Sequence, residues 1–315
     1  MIFLHIFQFI LSFIVLSLAA QAVVDGVDHF ARKLKISSFS ASFFILGILT
    51  SLPEIGVGFS AVLDKQPEIF VGNLVGASFV LFLLAVPLLA IFGNGIKLSY
   101  QLTNTNLVFA IFVILVPAIF VSDGSVSLGE SFAMIFLYFI LFYFIESKKK
   151  VLSELKAEVK EDFATPRKHW LILLVQIVVG CFMIFIASRQ LVNTIEYFAI
   201  LWHAPKYVIS LLILGIGTNL PEFTIAVTSI IRNEKEVAFG DYVGSAAANT
   251  LLFGVLILFT GPFTIHNGNF FMTFVIFTIG MLAFYHFARS KRDISRKEGF
   301  LLLIVYLVFI LLELL

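Results

Sequence analysis

The stretch Gly47–Glu54, which reads GILTSLPE, is nearly copied by Gly215–Glu222, which reads GIGTNLPE. Further along, Gly72–Ala77 (GNLVGA) and Gly240–Ser245 (GDYVGS) form a second related pair. The difference in residue number between the two copies is the same in both motifs, and it is called the repeat offset here. A constant offset over two separate motifs indicates an internal duplication rather than chance similarity. The sequence therefore predicts two structurally related halves.

The composition around these motifs is typical of a membrane protein. Of the 315 residues, 60% are hydrophobic and only 13% are charged, and the mean hydropathy is +1.05. Soluble domains are nearer half apolar and a quarter charged, so a soluble globular protein is excluded. The net charge of +1 indicates no basic surface for nucleic acid. Cys181 is the only cysteine, which excludes an intramolecular disulfide and a cysteine-based metal cluster.

Apolar windows long enough to cross a hydrocarbon core of about 30 Å recur along the whole chain. They predict an all-α polytopic membrane protein with ten transmembrane helices, numbered here as spans one to ten. The first span begins without a basic segment, so it is expected to be a retained helix rather than a cleaved signal peptide. The predicted limits are 2–24, 39–63, 69–92, 106–121, 128–146, 170–188, 207–231, 236–260, 270–287 and 299–315.

The ten spans divide equally between the two halves. The first repeat is predicted at 1–146, a charged connector at 147–169 and the second repeat at 170–315. Because each repeat contains an odd number of spans, the second must enter the membrane with the opposite orientation. Inverted repeats with broken helices at the centre are a transporter architecture, in which the substrate site lies at the membrane midplane between the repeats.

The distribution of basic residues predicts the orientation of the chain. With the amino terminus outside, the outer loops hold only Lys65, Arg189 and Lys206, and every other lysine and arginine lies in an inner loop. Basic loops resist translocation, so this asymmetry follows the positive-inside rule. We therefore expect a multi-pass protein of the cell membrane, with both termini outside and the connector 147–169 in the cytoplasm.

Each of the two Pro-Glu stretches is expected to interrupt its helix. Pro53 and Pro221 lack an amide hydrogen and clash with the preceding turn, so spans two and seven should break there. Carbonyl groups just before each break then lose their helical partners, and a bound cation would satisfy them. The side chains that add oxygen ligands at the breaks, and that can also cap the restarted helices, are Thr50, Ser51, Thr218 and Asn219.

Glu54 and Glu222 fall in the first turn after each break and are expected to face each other across the two repeats. A carboxylate at the bilayer centre costs at least about 2–3 kcal/mol, which favours a functional role. Carboxylate, hydroxyl, amide and carbonyl oxygens suit calcium or sodium, and no histidine or cysteine accompanies them to suggest zinc. The glycine pairs Gly72/Gly76 and Gly240/Gly244 should let spans three and eight approach spans two and seven closely.

At these motifs the sequence resembles the cation/calcium antiporter superfamily, and within it the sodium/calcium exchanger family of the compact prokaryotic type. The resemblance covers essentially the whole chain, including both Pro-Glu stretches, both glycine motifs and the ten spans. It implies exchange of calcium against sodium by alternating access, driven by spans one and six sliding over the core. It implies no cofactor, only the transported cations, with calcium and sodium foremost.

The resemblance also implies a set of cation ligands in this chain. The two central glutamates of the family match Glu54 and Glu222. The other matching positions are the hydroxyl residues Thr50, Ser51 and Thr218, Asn219 at a usual serine position, the carbonyl donors Gly47 and Gly215, and Ser245, whose counterpart is Ala77. The predicted metal-site set is completed by Ser78 and Asn249.

Several positions depart from the family pattern. Leu81 stands where the family has a polar residue, and Asn249 stands where an aspartate is common. The asparagine of the usual Gly-Ser-Asn sequence is replaced by Ser78 in one half and Ala246 in the other. Two carboxylates balance one divalent ion or two monovalent ions, whereas three sodium ions would leave buried positive charge. We therefore predict a divergent stoichiometry or ion selectivity.

Asp241 is the open point in this count of charges. It would supply a third negative charge if its side chain faced inward, although its repeat mate Asn73 is neutral.

The leading functional hypothesis is a secondary antiporter that moves calcium or a related cation against sodium or protons. The alternative is a cation-binding channel or sensor on the same scaffold without coupled exchange, an alternative that Leu81 keeps open. An enzyme is not expected, because no nucleophile or His/Asp constellation accompanies the paired carboxylates. The expected partners are the lipid bilayer and inorganic cations, not nucleic acid; the oligomeric state stays open and a monomer would suffice.

Overall fold

A computed structural model describes residues 2–31, 50–97, 104–147, 167–232, 235–266, 268–291 and 293–314. The helices of the first half are α1 (Ile2–Ala31), α2 (Leu52–Leu63), α3 (Pro67–Val80), the π-helix π1 (Leu81–Ala85), α4 (Val86–Phe92), α5 (Asn104–Val121) and α6 (Leu128–Ser147). Those of the second half are α7 (Arg167–Trp202), α8 (Lys206–Ile209), the π-helix π2 (Ser210–Leu214), α9 (Gly215–Thr218), α10 (Leu220–Arg232), α11 (Lys235–Thr260), α12 (Phe270–Lys291) and α13 (Arg296–Leu314).

The fold is that of a helical membrane protein. Within the described residues, seven helical segments are long and apolar enough to cross a membrane, and two further apolar helices, Leu52–Leu63 and Asn106–Val121, are shorter. Span two, predicted at 39–63, begins among residues 32–49, outside the described part of the chain. Most of the predicted connector, residues 148–166, also lies outside it. The count of ten spans therefore stays a prediction.

Span six is much longer than the predicted 170–188, because α7 continues to Trp202. The hydropathy window ended where polar residues begin, but these side chains find partners at the end of the helix. Arg189 pairs with Asp64 at 3.2 Å, and Glu196 pairs with Lys206 at 2.9 Å. Polar residues paired in this way extend the helix beyond the apolar window that the prediction relied on.

Span seven, predicted as one helix over 207–231, is divided into four segments. The chain passes from α8 through the π-helix π2 into the single turn α9 and then into α10. π-Helical turns are rare and are frequent at functional sites. Here π2 leads directly into the Gly215–Glu222 stretch.

Two short β-pairs repeat with the offset seen in the sequence. Strand β1 (Ile96–Lys97) pairs with β4 (Asp293–Ile294), and β2 (Ser125–Val126) pairs with β3 (Phe263–Thr264), both antiparallel. β4 lies at the repeat offset from β2 and β3 lies within one residue of that offset from β1, and each strand pairs with a strand of the other half. The duplicated sequence is thus accompanied by duplicated local structure.

Two helix caps follow the same relation. Ser127 and Glu130 form a capping box at the start of α6, in which the Ser127 amide donates to the Glu130 carboxylate at 2.7 Å. Ser295 and Glu298, their counterparts by the repeat offset, form the same box at the start of α13, also at 2.7 Å. A reciprocal Ser/Glu cap satisfies two backbone amides that would otherwise lack partners.

The two halves meet at a seam of glycines on α3. Gly72 lies against the backbone of Tyr207, and Gly76 lies against the backbone of Leu211 and of Gly215. No side chain separates the helices at these points, so α3 of the first half packs directly on the π2–α9 segment of the second. Small residues permit this close approach in membrane helices. The predicted packing of span three on span seven is confirmed.

We expect Gly76→Ala to destabilise the protein, because a Cβ there would overlap the carbonyl oxygen of Leu211, which is backbone and cannot turn away. Overpacking of this kind costs about 1–3 kcal/mol. Gly129→Ala is the matched control, since its nearest neighbour would be the Ser127 hydroxyl at an ordinary 3.8 Å. Thermal unfolding in detergent should show a lower Tm for Gly76→Ala than for Gly129→Ala. Equal Tm values for both variants would contradict the close backbone contact at Gly76.

Candidate cation site

The helices are interrupted at equivalent positions in the two halves. Ser51 has φ −76° and ψ 10°, and Asn219 has φ −86° and ψ 14°, so both leave the helical region in the same way. The helix resumes at once, with Ile55 donating to the Ser51 carbonyl at 2.9 Å and Phe223 to the Asn219 carbonyl at 3.0 Å. A break stands before Pro221, between α9 and α10, whereas most of the segment before Pro53 lies outside the described residues.

The capping that the sequence predicted at these breaks is not found. Ser51 occupies the N-cap position of α2, but its side chain makes no capping hydrogen bond. The Asn219 side chain turns back instead, and its Nδ2 donates to the Gly215 carbonyl at 2.5 Å and to the Ala77 carbonyl at 3.4 Å. One of the carbonyl groups expected to lack a partner is therefore satisfied by the protein itself. Gly47 lies outside the described residues.

Glu54 and Glu222 lie inside the protein and close together. Each is only 1% exposed, so neither faces lipid. The Glu54 carboxyl group lies close to the Thr218 hydroxyl, and the Glu222 carboxyl group lies close to the Thr50 hydroxyl and is repelled by Glu54. Each glutamate thus lies beside the threonine of the opposite half.

Both carboxyl groups keep oxygens without a hydrogen-bond partner among the described residues. These atoms are Oε2 of Glu54 and both Oε1 and Oε2 of Glu222. A buried carboxylate that lacks both hydrogen bonds and a counter-charge is costly. The arrangement therefore provides open oxygen ligands in the interior.

The two threonines make a second pair of equivalent contacts. Thr50 Oγ1 donates to Asp241 Oδ1 at 3.2 Å, and Thr218 Oγ1 donates to Asn73 Oδ1 at 3.2 Å. Positions 50 and 218, and positions 73 and 241, are each separated by the repeat offset. The structure thus brings the two duplicated motifs together crosswise, each Pro-Glu stretch against the glycine motif of the other half.

Asp241 is a third acidic residue at this place, and the predicted set of site residues did not include it. It is fully buried, and its charge interacts with both Glu54 and Glu222. The signal in the sequence was its place beside Gly240, equivalent to Asn73 in the first motif. The direction of its side chain could not be read from α11, because that helix carries small or apolar residues on several faces. The sequence analysis left a third charge at Asp241 open, and the buried position of this side chain favours it.

The remaining predicted ligands lie next to these groups. Ser245 contacts the Thr50 hydroxyl at 2.8 Å. Asn249, one turn further along α11, donates from Nδ2 to the Ser78 hydroxyl at 3.2 Å, and Ser78 donates to the Leu74 carbonyl at 3.1 Å. The Asn249 Oδ1 atom is buried without a hydrogen-bond partner among the described residues.

The donor atoms gathered here are of the kinds that hard cations accept. Its oxygens come from carboxylates, hydroxyls and amides, and no lysine or arginine pairs with Glu54, Glu222 or Asp241 in the part of the chain that the structure describes. No three His, Cys, Asp or Glu side chains among the described residues converge as for a single metal ion. The three acids therefore lie as neighbours around the breaks rather than as one closed cage.

Comparison with known proteins identifies the family. The sequence model of the sodium/calcium exchanger protein family matches residues 4–145 and 172–315, nearly the whole chain. The chain belongs to this family, and with its compact size it is a cation/calcium exchanger of the prokaryotic type.

Individual relatives extend over the same length. An uncharacterised membrane protein of Methanocaldococcus jannaschii is 26% identical over 98% of both chains. The sodium/calcium exchanger MaX1 of Methanosarcina acetivorans is 22% identical, over 95% of this chain and 97% of its own. Among solved structures, the sodium-calcium exchanger NCX_Mj superposes with a TM-score of 0.67 at 22% identity, over 98% of this chain and 99% of its own. These relatives are exchangers and membrane proteins rather than enzymes.

We expect Asn219→Ala to destabilise the protein, because it leaves the buried Gly215 carbonyl without its side-chain partner. An unsatisfied buried polar group costs about 1–3 kcal/mol. Thr224→Ala on the same helix is the control: its hydroxyl donates to the Leu220 carbonyl at 3.0 Å but is exposed, so the change should stay within about 0.5 kcal/mol. Thermal unfolding of the cation-free protein measures both, and an unaltered Tm for Asn219→Ala would exclude this role.

Proposed function

We propose that the protein is a secondary active antiporter that exchanges calcium, or a related cation, against sodium or protons. The observation that carries the proposal is the crossed arrangement of Glu54 and Glu222, each buried and each beside the threonine of the opposite half. Two carboxylates without a lysine or arginine partner in the described residues match the charge of one divalent cation or two monovalent cations. The same oxygens would therefore serve both ions of an exchange.

The choice of cation follows from the donor atoms. Calcium takes six to eight oxygen ligands and accepts carboxylates, carbonyls and amides in a flexible geometry. Glu54, Glu222, Thr50, Thr218 and the Asn219 side chain supply oxygens of these kinds at the two breaks. The relative MaX1 is named a sodium/calcium exchanger, and NCX_Mj was soaked with sodium and with strontium or calcium. These names and conditions belong to those proteins and support the same ions here.

The proposed architecture is ten spans in two inverted repeats, 1–146 and 170–315, joined by the connector 147–169. The twin capping boxes and the twin threonine contacts support it because each obeys the repeat offset, and the crossed β-pairs follow that offset to within one residue. In this arrangement the site lies at the membrane midplane where the repeats meet. Both termini face outwards and the connector faces the cytoplasm, as the distribution of basic residues favours.

Alternating access is the mechanism that fits the burial of the site. At 1% exposure, neither glutamate is accessible from either side of the protein in the described conformation. An ion therefore enters and leaves only after helices move, and opening to one side at a time couples the two fluxes. Without bound cations the glutamates repel each other, so we propose that cation binding favours the closed conformation.

Glu54→Gln and Glu222→Gln should each abolish calcium flux, because each removes half of the charge that balances a divalent ion while keeping the side-chain shape. Glu130→Gln is the matched control: this glutamate lies in the capping box of α6, away from the site, and glutamine keeps the cap. The measurement is isotope calcium uptake into vesicles that carry an outward sodium or proton gradient. Wild-type flux in either site variant would contradict the assignment.

The same variants separate loss of binding from loss of folding. At a hundredfold excess over Kd, calcium should stabilise the wild-type protein by about 2.7 kcal/mol and so raise its Tm. The Tm of either site variant should stay almost unchanged. Uptake that proceeds equally well with no counter-ion on the opposite side would instead favour a channel without coupled exchange.

A further inference from the structure

We propose that Asp241, with the hydroxyl groups of Thr50 and Ser245, forms a separate position for a monovalent cation beside the Glu54–Glu222 pair. This inference rests on the proposed antiport function and assigns the singly charged ion to a particular part of the site.

Asp241 lacks a counter-charge in the described part of the protein. It is fully buried, its Oδ1 accepts a hydrogen bond from Thr50 at 3.2 Å, and its Oδ2 has no hydrogen-bond partner among the residues that the structure describes. No lysine or arginine pairs with it among the described residues. Transfer of an unpaired carboxylate into such a place is strongly unfavourable, whereas a cation at the open Oδ2 offsets that cost.

The position is distinct from the glutamate pair, although it adjoins it. Asp241 and the two glutamates do not converge on one point as three ligands of a single ion would. Thr50 links the two positions, because its hydroxyl contacts Asp241 and Ser245 and also lies close to Glu222. The hydroxyl oxygens of Thr50 and Ser245 lie 2.8 Å apart, and either group can donate in this contact.

The opposite half lacks an equivalent position. There the counterpart of Thr50, Thr218, donates to Asn73, which is neutral, and the counterpart of Ser245 is Ala77, which has no hydroxyl. The crossed geometry is the same at 3.2 Å, but the charge and one oxygen ligand are missing. Only one of the two related places is therefore equipped to hold a cation.

The charge of the ion follows from the number of carboxylates. Asp241 alone balances one positive charge, whereas a divalent ion there would leave one charge uncompensated in the interior. The glutamate pair balances a divalent ion. Together the three acids hold either one divalent and one monovalent cation or three monovalent cations, so the interior accommodates a third monovalent ion that two glutamates alone would not.

The test is the sodium dependence of calcium transport in Asp241→Asn, which gives this half the asparagine that Asn73 provides in the other. The concentration of sodium or potassium that half-inhibits calcium uptake should rise about tenfold, equivalent to about 1.4 kcal/mol. The Hill coefficient of that inhibition should fall from about three towards two, because it cannot exceed the number of sites. Calcium–calcium exchange without sodium or potassium should change less than about threefold, and Glu130→Gln should match wild type throughout.

Three results would overturn the inference. One is an unaltered sodium and potassium response in Asp241→Asn while the wild type transports calcium. Another is joint loss of calcium–calcium exchange and calcium-dependent stabilisation, which would place Asp241 in the calcium position itself. The third is absence of any inhibition of the wild type by either ion. Absence of wild-type calcium flux with every counter-ion would overturn the proposed function, so the two failures are distinguishable.

Ser245→Ala provides a second, milder variant, because it copies Ala77 and keeps every charge. It should raise the half-inhibiting sodium concentration about threefold, a larger effect than its effect on calcium–calcium exchange. If Asp241→Asn does not fold, this variant decides: a threefold rise supports the monovalent position, and an unchanged sodium response overturns it.

Discussion

The rest of this structure depends on one constraint: acidic groups lie in its interior without basic partners among the described residues. Three carboxyl groups lie inside a membrane protein, repel one another, and find no lysine or arginine among the described residues. Their surroundings supply hydroxyls and amides, which soften the repulsion but do not neutralise it. The broken helices, the crossed threonines and the glycine seam all serve to hold these groups together in spite of that repulsion.

Much of the architecture follows from the sequence because duplication is visible as a numerical offset. The offset pointed to both helix breaks and both glutamates, and in the structure each glutamate is buried just after Ser51 or Asn219. Family membership likewise followed from the same motifs. Helix limits were harder to predict from the sequence. Hydropathy ended span six at position 188, because a hydropathy window does not show that Arg189 and Glu196 have ion-pair partners towards the end of α7.

The details of the site depended on side-chain directions that no sequence pattern gives. Asn219 was expected to offer an oxygen and a cap, but its amide satisfies the carbonyl of Gly215 one turn earlier. Asp241 was left open because its repeat mate is neutral, and only the helical phase of α11 decides that it faces Thr50. Symmetry of sequence predicts equivalent positions, whereas the chemistry differs where the two copies have diverged.

The glycine seam has a mechanical consequence. Because the backbones of α3 and the π2–α9 segment touch at Gly72 and Gly76, neither can slide or rotate without a collision between main chains. These two segments, one from each half, are therefore fixed to each other beside the helices that carry the acids. Under the proposed alternating access, the helices packed around this contact would move while α3 and the π2–α9 segment keep their relative position.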